Sequence, residues 1–139
     1  MSKKLYAAIV LGLLALGLMT TCQQPPTGDI SLEEIYGVWR MEISGEAWGS
    51  FMFLNEDGSY IIAGSNDPDP MSSFDFGQYD LEGNSITFLA DKESTGCPGY
   101  RIWAAIELIE GDKLQLRELD EECPNSFPGP IATFVRYTP

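Results

Sequence analysis

Three cysteines, no histidine and a large excess of acids bound the chemistry open to this 139-residue sequence. Cys97 and Cys123 stand on either side of Glu110-Gly111-Asp112, and their midpoint is residue 110. If that tripeptide turns a hairpin, the two cysteines lie nearly opposite each other. A cross-strand or diagonal pairing then brings the thiols within reach, helped by a bulge or by the kinks at Pro98 and Pro124. In an exported protein a disulfide is the default for such a pair. Closing a loop of this length stabilises the fold by roughly 3–4 kcal/mol on the chain-entropy model. A thiolate nucleophile or a cysteine metal centre lacks a supporting His or basic neighbour. The missing histidine also removes the commonest general base, the commonest zinc ligand and every Ser-His or Cys-His arrangement.

The acids gather at Asp67-Pro68-Asp69 and at Asp120-Glu121-Glu122. Oxygen-rich loops can hold Ca²⁺, but neither cluster has the spacing of a calcium loop, and acidic turns on so negative a chain are ordinarily solvated. Nothing in the spacing sets two carboxylates across a cleft as a glycosidase would need. The sequence therefore offers no catalytic residues, no metal site and no cofactor site, and the expectation is a protein that is not an enzyme. Eight basic residues against 21 acids give a net charge of −13. Nucleic acid is excluded as a partner, because phosphate backbones demand a Lys/Arg surface. The same field repels an anionic bilayer, so membrane contact would have to come through a lipid rather than a basic patch.

The N-terminus supplies a route to such a lipid. Lys3 and Lys4 precede an apolar run from Leu5 to Leu18 that is shorter than the roughly 20 residues needed to span a bilayer, which is export-signal architecture. The run ends in Leu18-Met19-Thr20-Thr21-Cys22, which resembles the lipobox of bacterial lipoproteins. That resemblance implies lipidation of Cys22 and removal of residues 1–21. Thr21 and Met19 depart from the usual Gly, Ala or Ser and Leu at those places. Loss of Lys3 and Lys4 would leave six bases against 21 acids, a charge of −15. Residues 22–30 are polar and contain Pro25, Pro26 and Gly28, so they read as a flexible tether. The expected location is extracytoplasmic, anchored to the cell envelope.

Residues 31–139 then form one domain by size. Ser31-Leu32-Glu33-Glu34 is a capping box that predicts one short helical turn before Tyr36. Thereafter the period is two. Strands are predicted at Trp39–Ile43, Trp48–Leu54, Ser59–Ala63, Phe74–Leu81, Ser85–Leu89, Tyr100–Ile109, Lys113–Leu119 and Ile131–Tyr137. Asn55-Glu56-Asp57-Gly58, Glu82-Gly83-Asn84 and Glu110-Gly111-Asp112 supply hairpin turns. About eight sequential antiparallel strands close best as an all-β up-and-down barrel, with an open two-sheet sandwich as the alternative.

Gly37-Val38-Trp39, directly after the capped turn, resembles the G-x-W signature of lipocalins and the wider calycin group. The segments Asn55–Tyr60, Gly77-Gln78-Tyr79, Thr87-Phe88 and Cys97–Tyr100 are similar to small bacterial lipocalin-like domains. The resemblance implies a barrel with a ligand cup, closed at its base by Arg136 packed over Trp39. A cation over an indole face contributes roughly 0.5–2 kcal/mol. It names no ligand, since such barrels host binders, inhibitors and a few enzymes.

In such a barrel one face of each strand lines the cup, and the candidates are Met41, Phe51, Phe53, Tyr60, Ile62, Tyr79, Phe88, Trp103 and Ile106, with the inward face open to a one-residue error. The competing reading is that an eight-stranded barrel fills itself with these side chains. The leading expectation is a monomeric, membrane-tethered binder of a small apolar or amphipathic molecule. The alternative is an interaction or inhibitor module that uses the irregular segments Gly64–Ser73 and Asp120–Pro130 against a protein partner.

Overall fold

In the computed structural model the described residues are 28–67, 69, 73–122 and 130–139. A single helical turn, α1 (Leu32–Ile35), leads into eight strands. These are β1 (Gly37–Ile43), β2 (Glu46–Leu54), β3 (Ser59–Ala63), β4 (Ser73–Glu82), β5 (Ser85–Ala90), β6 (Arg101–Ile109), β7 (Lys113–Glu121) and β8 (Ile131–Arg136). Each strand pairs antiparallel with the next, and β1 also pairs with β8, so the sheet closes into a barrel. Closure removes every sheet edge.

Local chemistry explains where the elements start and stop. The Glu34 carboxylate receives the Ser31 N–H at 2.8 Å and the Ser31 hydroxyl at 2.9 Å, which caps α1. At the β2–β3 turn the Asp57 carboxylate takes the Ser59 N–H at 2.9 Å, and the Gly58 N–H closes onto the Asn55 carbonyl at 3.1 Å. Each strand lies within two residues of its sequence-predicted span. The largest differences, two residues each, extend β1 back to Gly37, β2 back to Glu46 and β7 on to Glu121.

The register settles which face is inside. Trp39 sits opposite both Met52 and Arg136, Leu54 opposite Tyr60, Tyr79 opposite Phe88, and Leu114 opposite Phe134. Facing partners share a side of the sheet, so these residues all point inward. All but Arg136 form one buried cluster with Ile35, Met41, Ile86, Ile102, Ala104, Ile106, Leu116 and Ala132.

The chain gives the barrel two unlike ends. At one end lie α1, the turns at Asn55–Gly58, Gly83–Asn84 and Glu110–Asp112, and the last residues of β8. At the other lie the Ser44–Gly45 turn, the last residues of β3, β5 and β7 and the first residues of β4, β6 and β8. We call these the sealed end and the mouth.

Candidate functional site

The sealed end is built around Trp39, which is fully buried. Its indole N–H donates to the Ile35 carbonyl at 2.7 Å, and the Arg136 guanidinium lies 4.2 Å from the ring centroid. The same guanidinium donates to the carbonyls of Glu34 (2.6 Å), Tyr36 (3.2 Å) and Gly111 (3.3 Å). The last carbonyls of a four-residue helix have no partners of their own, so one arginine and one indole satisfy them and fix α1 beneath the barrel. Gly37 has φ +132, and a Cβ there would come within 3.1 Å of the Arg136 Nη1. Gly37, Trp39 and Arg136 thus meet at one point, and Ile35 plugs the base behind them with no exposed surface.

The nine cup candidates divide by face. Met41, Tyr60, Ile62, Tyr79, Phe88 and Ile106 are inward. Phe51, Phe53 and Trp103 are not, and this corrects the sequence reading. Met52 and Leu54 take the inner positions on β2, leaving Phe51 edge-on to Tyr137 (5.2 Å between centroids) and Phe53 buried on the outer side. Trp103 faces outward opposite Thr87, while Ile102 and Ala104 point in.

Inner side chains differ between the two ends. Toward the sealed end lie Trp39, Leu54, Tyr60, Ile86, Leu114 and Phe134, all at most 1 % exposed, with the partly buried Leu81 and Leu108 beyond them. Toward the mouth lie Ile43, Ser50, Ile62, Asp75, Ala90, Ile102 and Ala132. Ile43, Ser50 and Ile62, on adjacent strands, are only partly buried. The mouth is therefore lined largely by small or half-covered side chains over a packed floor.

At this level the barrel wall holds a polar cluster. The buried polar residues among those described are Ser73, Asp75 and Ser94, and they gather at one point. Asp75 lies opposite Ile62 on the inner face of β4. Its Oδ1 accepts the Ser94 hydroxyl and the Phe76 N–H (3.1 Å), and its Oδ2 accepts the Tyr60 hydroxyl at 3.2 Å. Ser94 belongs to the β5–β6 connection, which continues along β4 where β5 has ended. There the Asp91 N–H donates to Phe76 O, and the Thr95 hydroxyl donates to Phe74 O. Burial raises the Asp75 carboxyl above the usual aspartate range, against the lowering effect of its three hydrogen bonds. Burial, and then the charge of Asp75, raise the Tyr60 hydroxyl, which stays protonated. Tyr79 is pushed up to about 12 by burial and then by Asp57, and its hydroxyl donates to Asn55 O at 2.7 Å.

Asp75 and Ser94 were not among the sequence-level candidates. A signal for Asp75 existed: counting back by twos from Tyr79 passes Gly77, Asp75 and Ser73 on one face. Ser94 carries no local signal, because a loop brings it to the barrel.

The remaining sites fall elsewhere. Cys22 and Cys123 lie outside the described residues, as does the predicted signal of residues 1–21. Cys97 is buried at the start of a turn in which the Tyr100 N–H bonds back to Cys97 O at 3.1 Å. Cys97 is disulfide-bonded, and a bulge between Trp103 and Ala105 shifts the β6–β7 register on the way to it. In the second acidic cluster the Glu122 carboxylate receives the Arg101 N–H at 2.9 Å. Among the described residues no three Asp, Glu or Cys side chains converge as a metal site would require, and no helix is long and apolar enough to cross a membrane. No protein-family model matches this chain, and no curated protein matches it.

Proposed function

We propose that this chain is a lipocalin-like lipoprotein, tethered outside the cytoplasm through Cys22, which binds a small apolar or amphipathic molecule at the barrel mouth and catalyses nothing. The observation that carries the reading is the uneven interior: a floor of large packed side chains, sealed by Trp39 and Arg136, under a mouth lined by Ile43, Ser50, Ile62 and Ala90. Ligand sites in small barrels have this form, a mostly apolar recess with a few convergent polar groups. Tyr60, Asp75 and Ser94 supply those groups. Anchoring rests on the apolar run, the lipobox-like Leu18–Cys22 and the polar residues 22–30. In this reading Cys97 and Cys123 pair as a disulfide, supported by the disulfide-bonded state of Cys97.

Native mass spectrometry of the full chain purified from its host tests the binding. A co-purifying small molecule, lost when Ile62→Trp fills the mouth, is the expected result. An unloaded protein that takes up no lipid, amine or pigment from a panel would reject it. For the anchor, Cys22→Ala is expected to release a folded domain from membranes, and a variant that stays membrane-bound would refute lipidation.

A second reading has one observation in its favour. Of the six large exposed apolar residues described, Trp48, Phe74, Leu89, Tyr100 and Ile131 all lie toward the mouth. A protein partner docking on the mouth loops would cover them.

A further inference from the structure

We propose that Asp75 decides which amphipathic molecules the mouth accepts, favouring a head group that is a protonated amine over one that is a carboxylate. This deepens the cup reading and rests on it. Asp75 is 6 % exposed, and neither ion pair among the described residues involves it; those join Lys113 to Glu42 and Arg117 to Glu107. All its partners are hydrogen-bond donors without charge: the Ser94 and Tyr60 hydroxyls and the Phe76 amide. Arg136, on the same inner face, is at the opposite end with its guanidinium committed to three carbonyls and the Trp39 ring.

A buried carboxylate without a counter-ion is costly, and a cation delivered beside it recovers that cost. Oδ2 receives the Tyr60 hydroxyl alone among the described bonds, so it keeps a lone pair for an incoming N–H. The residue directly opposite, Ile62, is half-buried, and Met41 and Ile43 continue the apolar wall, so a short alkyl chain has a surface to lie on while its head reaches Asp75. An anionic head in the same place would meet the carboxylate at low dielectric.

The titratable group facing Asp75 from β3 is Tyr60, which stays neutral. In the loop that supplies Ser94, the Asp91 carboxylate takes the Glu93 N–H at 2.9 Å, and the Lys92 stem lies along Gly99. None of these bonds to Asp75, so no cationic side chain among the described residues neutralises it.

Calorimetry of the full chain in lipid nanodiscs, with empty discs subtracted, tests the idea using hexylamine, hexanol and hexanoate. Hexylamine is expected to bind roughly tenfold or more tightly than hexanoate at neutral pH, and Asp75→Asn to shrink that preference to about threefold or less. Equal binding of the amine and the acid, or a preference that survives Asp75→Asn, overturns the inference while leaving the cup in place. Binding of none of the three overturns the cup reading and the inference with it. The unaltered chain provides a second measure in case the variant folds poorly. Hexylamine must move the carboxyl ¹³C titration of Asp75 to lower pH and hexanol must not, so a titration that hexylamine leaves unmoved also overturns it.

Discussion

The two ends of the barrel solve opposite problems with the same kind of strand. At the sealed end the described polar groups that lose water find partners: the indole N–H in Ile35 O, the helix carbonyls in Arg136, the Tyr79 hydroxyl in Asn55 O. At the mouth a carboxylate is taken out of water and answered only by neutral donors, among small and half-covered apolar residues. Complete satisfaction makes a floor that has no reason to open. An unneutralised charge beside apolar wall makes a surface that gains from a visitor. The difference is one of pairing more than of composition.

If the floor is the stability centre, Trp39→Ala is the most damaging substitution. It removes a fully buried indole, its bond to Ile35 and the platform under Arg136, and should cost about 3–5 kcal/mol. Urea denaturation measures this directly, and an unchanged midpoint would dissolve the distinction between the ends. Arg136→Lys comes next, at about 1–3 kcal/mol, because one ammonium cannot serve three carbonyls and cover an indole as a planar fork does. A lysine variant as stable as the parent would mean that charge alone fastens the base.

Much of the floor was legible in the sequence and much of the mouth was not, for a physical reason. Ser31–Glu34, Gly37, Trp39 and the hairpin turns act over a few residues, so their types and spacing carry the geometry. Arg136 could be matched to Trp39 because closing the barrel must bring the last strand beside the first. Face assignment failed where alternation disappears. Phe51-Met52-Phe53-Leu54 is apolar at every position and contains no parity, and the same is true of Ile102–Ile106 around Trp103. The Asp75 cluster joins β3, β4 and a loop, and only the register assembles it.

The two ends should also answer pH with opposite signs. Burial raises Asp75 above its unfolded value, so between the two values the native state holds a proton that the unfolded chain has released. Stability from this group is full below the usual aspartate range and is lost as pH rises through the raised value. At the sealed end Glu34 and Asp57 are lowered by hydrogen bonds from Ser31 and Ser59, so their contribution is present above the usual range and lost as pH falls. Asp75→Asn should therefore abolish the fall in urea midpoint on raising pH from about 4 toward neutrality, while leaving the acid limb untouched. A variant whose pH curve overlays the parent's would show that Asp75 titrates alike in both states.

The smallest expected effect falls on the rim. Trp48 and Trp39 are the same side chain on adjacent strands, yet Trp48 is 56 % exposed and Trp39 is wholly buried. Trp48→Ala removes apolar surface that already faces water, so the folded state loses little that the unfolded chain keeps, and the stability change should stay within about 0.5 kcal/mol. If Trp48 borders the recess, its fluorescence should respond to hexylamine in the parent, and in Trp48→Ala the calorimetric affinity should weaken at unchanged stability. A destabilisation approaching that of Trp39→Ala would place the rim within the packed core, and the contrast between floor and mouth would have to be redrawn as a single cooperative interior.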